Sequence, residues 1–229
     1  MNVRWLPKNS IQKSASDLLK GYEEFVGHPS QPPIPIEDII ERYLGLNLSF
    51  EDLEAKLGVE DVLGATYVKP KRIIINERLL ENKSEGRMIF TCAHEVGHWV
   101  LHRHNIDQAQ RSDGSSEAIV CRTRNSKRPI EWQADYFASC LIMPEGAVRS
   151  SFSLVWAEEE LVLNNVRSRL GGTSVCVDPC VENWHFIADA VREAGGFSNV
   201  SKEAMIIRLE ELGLVQNKTG VYMGWQRNG

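Results

Sequence analysis

Residues 91–104, TCAHEVGHWVLHRH, place four histidines and one glutamate within fourteen positions of a stretch with helical character. His94, Glu95 and His98 form the pattern H-E-x-x-H. Residues four apart on an α-helix are offset by only about 40° and rise about 6 Å, so both imidazoles can converge on one metal ion. Glu95 lies about 100° around the helix from His94, where it can reach a water on that ion and act as a general base. The pattern therefore predicts a helix over 82–102 that carries most of a catalytic metal site.

A catalytic zinc site needs a third protein ligand, and the segment EWQADYFA offers one. Glu131 and Asp135 are four apart on a predicted helix over 129–144 that begins at a proline and ends before another. Glu131 can then bind the ion while Asp135 accepts the N–H of a ligating histidine. Two imidazoles and one carboxylate favour Zn²⁺, although Mn²⁺ or Fe²⁺ could occupy the same ligands.

Two histidines near the end of the H-E-x-x-H helix are alternative third ligands. His104 has the spacing of the H-E-x-x-H-x-x-G-x-x-H pattern, but Leu101 stands where that pattern needs a glycine to end the helix. His102 follows His98 by four residues, one turn further along, where it would point past the ion rather than at it. We therefore expect Glu131 to be the ligand and keep these two histidines as alternatives.

The surrounding segments predict an α+β domain of the zincin-like metallopeptidase type, in which a short sheet packs on the H-E-x-x-H helix. Helical spacing, strand-forming clusters and turn residues predict two N-terminal helices, a strand, a hairpin, the two ligand helices, a long polar loop between them and a C-terminal helix. These segments are 14–26, 33–45, 46–50, 63–76, 82–102, 129–144, 103–128 and 200–215. We expect one domain over 1–150 and a mostly helical region over 151–229. Asn82 or Ser84 is the expected N-cap of the first ligand helix.

The stretch LGATYV, residues 63–68, is short and bounded by a glycine and a Lys-Pro-Lys turn, as an edge strand would be. An extended peptide could add to such an edge through backbone hydrogen bonds. Thr66 and Tyr67 are therefore expected to bind substrate. Tyr67, Tyr136 and His185 are each candidates to polarise a carbonyl, and the sequence does not choose among them.

Composition restricts the partners and the cellular compartment that we expect for this protein. A net charge of -5 argues against a broadly basic surface, so direct nucleic-acid binding is not expected. The N-terminal residues lack a signal-peptide core and no apolar run reaches the roughly 18 residues of a membrane span, so we expect a cytoplasmic protein with no membrane partner. The five scattered cysteines do not form a disulfide framework. Cys176 and Cys180 could form a second metal site with His185, or be unrelated thiols.

Three separate segments, GATYVKPKRIIINERL, RMIFTCAHEVGHWVLH and EWQADYFASCLIMP, together resemble the ImmA/IrrE family of metallo-endopeptidases over roughly residues 30–145. On that pattern His94 and His98 match the histidine ligands, Glu95 the catalytic glutamate and Glu131 the third ligand. The stretch FSNVSKEAMIIRLEELGLV also resembles the closing helical segment of that family. The resemblance implies cleavage of a regulatory protein in the cytoplasm, typically a helix-turn-helix repressor.

Two readings of another class remain open from the sequence. The chain could be a regulator that keeps the metal for structure, or an immunity or antitoxin module that only binds a partner. A catalytic site keeps its fourth coordination position open, whereas a structural site closes it. The basic run CRTRNSKR, residues 121–128, reads as a solvated loop or as a docking element for an acidic partner.

Overall fold

The computed structural model of the protein describes residues 4–81, 85–113, 119–122, 129–157, 159–163 and 184–218, with only the backbone described at 106–113 and 119–122. The chain folds as two compact units. The first comprises Met1–Ser30 and Ile34–Ile142, and the second comprises Gln31–Pro33 and Met143–Gly229. The domain limits expected from the sequence, 1–150 and 151–229, stay a prediction.

The first unit has mixed α/β content, with a small sheet and helices. Among its described residues, the helices are α1 (Lys8–Val26), α2 (Ile36–Asp38) with a following π-helical turn (Ile39–Tyr43), α3 (Leu53–Leu57), α4 (Arg78–Glu81), α5 (Glu85–Asp113) and α6 (Pro129–Ile142). Its strands are β1 (Asn47–Glu51), β2 (Val62–Tyr67), β3 (Arg72–Asn76) and β4 (Ile119–Arg122). The predicted N-terminal helices, hairpin and two ligand helices are therefore confirmed in position.

Helix α1 forms because its apolar side chains recur every three or four residues and so lie on one face. The buried members of that face are Ile11, Ala15, Leu19 and Tyr22. The helix ends at Gly27, whose φ of 82° is a left-handed conformation that glycine adopts without steric cost. The apolar face packs against α6, so α1 supports the helix that carries Glu131.

The sheet has the strand order β1-β3-β2-β4. Strand β1 runs parallel to β3, while β2 is antiparallel to both β3 and β4. One side of the sheet closes over a small core made by Leu53, Val62, Ala65 and Ile74. The central position of β2 matters for the site, because this strand lies next to α5.

The prediction that residues 63–68 form an edge strand is wrong. Gly64, Ala65 and Thr66 pair with β3 on one side and with β4 on the other. The fourth strand comes from the polar segment 103–128, where a strand of four residues was too short to stand out from its surroundings. A peptide cannot add to β2 there, since both of its sides are already paired.

The same segment is not entirely a loop, because α5 continues to Asp113 rather than ending near His102. Residues 101–113 are compatible with a helix, because none of them is a glycine or a proline. Helix α5 packs against β2, β3 and α6. Its middle is deeply buried, with Cys92, Ala93 and Val96 each 0% exposed. The expected N-cap residues Asn82 and Ser84 lie outside the described part of the chain.

The described elements of the second unit are α7 (Glu145–Val155), β5 (Leu161–Leu163), α8 (Trp184–Ala194), α9 (Lys202–Glu211) and β6 (Val215–Asn217). Strands β5 and β6 pair in parallel. The predicted C-terminal helix is confirmed as α9, which begins where the Ser201 hydroxyl accepts a hydrogen bond from the Ala204 amide. Cys176, Cys180 and the side chains of the basic run 121–128 lie outside what the structure describes. Within the described ranges, no helix is long and apolar enough to cross a membrane.

Candidate metal centre

Helix α5 brings the two histidines of the H-E-x-x-H pattern together on its buried face. His94 is 2% exposed and His98 is 0% exposed. Their ring centroids are 4.6 Å apart and the ring planes are nearly perpendicular, at 82°. The four-residue spacing therefore places both imidazoles side by side, as the sequence predicts.

Helix α6 supplies a carboxylate to the same point. Oε2 of Glu131 lies 3.3 Å from Nε2 of His94 and 3.6 Å from Nε2 of His98. Ligand atoms of a tetrahedral zinc ion, at bonds of about 2.0–2.1 Å, are separated by about 3.4 Å. The three side chains, whose ligand atoms all lie within 4.8 Å of one another, therefore have the spacing needed to hold a metal ion.

A second observation fits a metal at this point. Nε2 of His98 and Oε1 of Glu95 are buried and have no hydrogen-bond partner among the described residues. Buried polar atoms are normally satisfied, because leaving one unpaired costs about 1–3 kcal/mol. An ion with a water in its open position would satisfy both atoms, which matches the residues to such a group.

The close approach of α5 and α6 depends on a glycine between the two histidines. A Cβ on Gly97 would lie 3.1 Å from both the Cα and the carbonyl oxygen of Ala134. These are backbone atoms, which cannot turn aside as a flexible side chain would. A glycine at position 97 thus lets α6 approach closely enough for Glu131 to reach the histidines.

The remaining nitrogen of each histidine is bonded inside the unit. Nδ1 of His94 lies 2.8 Å from Oδ1 of Asp135, the residue predicted to orient a ligating histidine. Nδ1 of His98 lies 3.1 Å from Nδ1 of His102. His102 is thus buried against His98, whereas His104 is exposed on α5, and neither belongs to the group that could hold a metal.

Glu95 is fully buried between the helix and β2. The Thr66 hydroxyl donates to Oε2 of Glu95 over 2.6 Å and lies 3.1 Å from the Glu95 backbone oxygen. Strand β2 also has to leave room for the carboxylate, since a Cβ on Gly64 would come within 2.6 Å of Oε1 of Glu95. Thr66 and Gly64 therefore define where the carboxylate lies. Sequence reasoning did not find either contact, because no local pattern tells which strand residue faces a helix.

Burial dominates the protonation of the site. It raises the pKa of Glu95 to about 8, with the charges of neighbouring groups making smaller changes. Burial also lowers the pKa of His98 to about 4, which favours the neutral imidazole that a metal requires. At Glu131, burial acts to raise the pKa, but the imidazoles of His94 and His98 outweigh it and hold the pKa well below its usual range.

The residues expected to touch substrate have mixed placements. Thr66 is 0% exposed and bonds Glu95, while Tyr67, the last residue of β2, is half-buried. Tyr136 stacks on Trp132 at 5.6 Å between ring centroids and points its hydroxyl at Gln12. Substrate binding by Thr66 and Tyr67 stays a prediction, as does the choice of the group that polarises the carbonyl.

A small mixed sheet, a helix bearing H-E-x-x-H and a buried His/His/Glu group are the features of a metal-dependent hydrolase. Residues 42–177, more than half of the chain, match the sequence model of the IrrE N-terminal-like domain, Peptidase_M78. The chain belongs to this family, which points to a metallopeptidase and confirms the resemblance seen in the sequence. No curated protein shows a significant match to the chain.

Proposed function

We propose that the protein is a zinc-dependent endopeptidase that hydrolyses a peptide bond in a regulatory protein. The proposed substrate is a helix-turn-helix repressor, and the proposed location is the cytoplasm. The observation that carries the proposal is the meeting of His94, His98 and Glu131 at ligand spacing, with the anchored carboxylate of Glu95 beside them. A metal site with a buried base next to it serves hydrolysis, and the family points to peptide substrates.

His94, His98 and Glu131 would hold the ion, and zinc suits two imidazoles and a carboxylate with one open position. When bound, the ion supplies Lewis acidity, which makes water a nucleophile near neutral pH and polarises the scissile carbonyl. A zincin-like domain is the architecture that we propose for this site. Mn²⁺ and Fe²⁺ are the other ions that these ligands accept.

Glu95 would move the protons. The Thr66 hydroxyl holds one of its oxygens, and the other has no hydrogen-bond partner among the described residues, so it can accept a proton from the attacking water. Burial makes this carboxylate a stronger base than it would be in water. It can then keep the proton until the leaving amine takes it, which balances the reaction: one water is consumed and the C–N bond is broken.

Nε2 of His94 and Nε2 of His98 must each be unprotonated to bind the ion. Asp135 accepts the Nδ1–H of His94, which leaves Nε2 of that imidazole as a lone pair. Packing of α5 on α6 buries the imidazoles of His94 and His98, which limits the access of water to their ring nitrogens. Two helices therefore present three ligands and one base, and β2 holds the base through Thr66.

A repressor is proposed as substrate because the family resemblance implies one. A protease that acts on one regulatory protein should cleave generic peptides slowly and a folded partner selectively. The test is to incubate wild-type protein and the Glu95→Gln variant with lysate of the source cell and to compare protein termini by mass spectrometry. One cut in a small helix-turn-helix protein, present only with the wild type, supports the proposal.

Two results would contradict it. Indiscriminate degradation of peptides and unfolded chains would indicate a housekeeping protease instead. A Glu95→Gln variant that retained metal and every biological output would indicate a non-catalytic regulator or an interaction module, since a structural site has no use for a general base. His104→Ala is the matched control, because that histidine is exposed on the same helix and contacts none of the proposed ligands in the described structure.

A further inference from the structure

Behind the metal ligand His98, buried polar groups form a continuous hydrogen-bonded chain. Nδ1 of His98 lies 3.1 Å from Nδ1 of His102, and Nε2 of His102 lies 3.2 Å from Oε1 of Gln133. The amide nitrogen of Gln133 donates to the backbone carbonyl of Arg4 over 3.1 Å. The chain thus links α5, α6 and the N-terminal segment within the first unit.

The direction of every bond in this chain follows from its last member. A backbone carbonyl only accepts, so the NH₂ group of Gln133 must face Arg4 and its oxygen must face His102. That oxygen requires an N–H at Nε2 of His102. A neutral His102 then has a lone pair at Nδ1, so this atom can only accept a hydrogen bond from Nδ1–H of His98.

We propose that His102 is a positioning residue for the metal ligand His98, and that it acts through this chain to keep the proton of His98 on Nδ1 and the lone pair of Nε2 directed at the metal. The proposal rests on the metal centre proposed above. His102 does for one histidine ligand what Asp135 does for the other, but with a neutral partner. The site therefore orients its two imidazoles without placing a second carboxylate behind them.

Burial makes the hydrogen-bonded chain determine where His98 carries its proton. His98, His102 and Gln133 are each 0% exposed, so water cannot replace a lost partner. If His98 carried its proton on Nε2 instead, two lone pairs would face each other across the 3.1 Å contact, and a buried N–H would point at the metal position. With the proton of His98 on Nδ1, a donor faces an acceptor at all three contacts of the hydrogen-bonded chain, whereas a proton on Nε2 would point toward Oε2 of Glu131, 3.6 Å away, and leave the contact with His102 without a donor.

The far end of the chain is held in place by aromatic stacking. Trp5, next to Arg4, stacks on Trp132 with ring centroids 4.7 Å apart and planes 14° apart. Trp132 lies beside Gln133 on α6 and stacks in turn on Tyr136. The stacking of Trp5 on Trp132 keeps the Arg4 carbonyl over the Gln133 amide. An N-terminal residue thus helps to determine which nitrogen of His98 carries the proton.

The first test uses metal-free protein labelled with ¹⁵N in histidine, because the ¹⁵N chemical shifts of an imidazole report which nitrogen carries the proton. We expect His98 protonated on Nδ1 and His102 protonated on Nε2. A metal-free wild type with the His98 proton on Nε2 would overturn the proposal. Since no metal is present, this result is independent of whether the proposed metalloprotease function is correct.

The second test measures Zn²⁺ affinity by competition with a chelator. Asn places an oxygen acceptor near the position of the His Nδ1 atom, whereas Leu has none. We expect His102→Leu to weaken binding roughly 10–100-fold, the usual effect of removing a residue that orients a ligand. His102→Asn should bind more tightly than His102→Leu, and His104→Ala should match the wild type.

A third variant interrupts the chain without altering either histidine. Gln133→Met removes the acceptor opposite Nε2 of His102 and should weaken Zn²⁺ binding while the circular dichroism spectrum stays that of the wild type. Equal losses in His102→Asn and His102→Leu would indicate a packing role and reject the proposal, as would wild-type affinity in His102→Leu or Gln133→Met. A wild type that binds no metal but shows the expected protonation would reject the proposed function, while the proposed order of hydrogen bonds from His98 to Arg4 would still stand.

Discussion

Thr66 and Glu95 are joined by a 2.6 Å hydrogen bond from the Thr66 hydroxyl to Oε2, so a strand side chain fixes one oxygen of the buried carboxylate. Helix α5 alone would leave this carboxylate free to rotate about its side-chain bonds. The bond from β2 selects one orientation, which explains why a helix motif needs the sheet beside it.

Replacing Thr66 with valine should therefore reduce hydrolysis without removing the metal. Valine keeps the shape and burial but has no hydroxyl, which leaves Oε2 of Glu95 without its donor. We expect kcat to fall roughly 10–100-fold, as for other residues that orient reacting groups. Thr66→Ser is the control because it keeps the hydroxyl, and metal content by mass spectrometry separates the two effects. Unchanged kcat in Thr66→Val would show that the bond does not orient the base.

Gly64→Ala should displace the same carboxylate through its other oxygen. The added Cβ would lie 2.6 Å from Oε1 and 2.9 Å from Cγ of Glu95, so the side chain must move. We expect a loss of turnover with zinc retained. Gly146→Ala is a suitable control, since its Cβ would meet nothing within 4 Å. Full activity in Gly64→Ala would mean that Glu95 functions in another position.

Glu131→Gln should lower zinc content and affinity, because a neutral amide replaces a ligand whose oxygen lies 3.3 Å and 3.6 Å from the two imidazole nitrogens. Metal analysis of purified protein gives the measurement, with His104→Ala beside it. If zinc were lost only from the His104 variant, the ligand set would be His94, His98 and His104 instead.

The metal-free protein should become less stable as pH rises, relative to metal-free Glu95→Gln. The pKa of Glu95 is raised by burial from 4.5 to about 8, so between these values the native state holds a proton that the unfolded state has released. This contribution to stability is fully present below about pH 4.5 and is lost progressively until about pH 8. Urea unfolding of both proteins in chelator from pH 5 to 9 measures it. A constant difference between them would indicate that Glu95 titrates normally.

Gly97→Ala should weaken both folding and zinc binding. The new methyl group would press on backbone atoms of Ala134 at 3.1 Å, and relief requires α6 to move away together with Glu131. Overpacking of this kind costs about 1–3 kcal/mol. Thermal unfolding with and without zinc should show a lower midpoint and a smaller shift on adding the metal. A variant with a lower midpoint but the wild-type shift would separate packing from ligand placement.

Local patterns were enough to predict the parts of this site that lie within one helix. The spacing of His94 and His98, and of Glu131 and Asp135, follows from helical geometry, and the structure brings all four together. Register cannot be obtained in this way. The bond from Thr66 to Glu95 was not predicted, because whether a strand residue faces a helix depends on packing between distant segments.

Two further features were beyond local patterns. Strand β4 is short and lies in a polar segment, so β2 was predicted as an edge although it is central. His102 was expected to point past the ion, and it does lie outside the ligand group, but its bond to His98 went unrecognised. The contact between Gln133 and Arg4 joins residues 129 positions apart, and no spacing rule reports on such a pair.

The central position of β2 determines which motions can disturb the base. Edge strands fray first, whereas a strand bonded on both sides opens only when a neighbouring strand detaches. The amide hydrogens of β2 should therefore be among the slowest in the sheet to exchange with deuterated solvent. Breathing at the rim of the sheet would leave the strand that holds Glu95 in place, so the base stays oriented while the outer strands open and close.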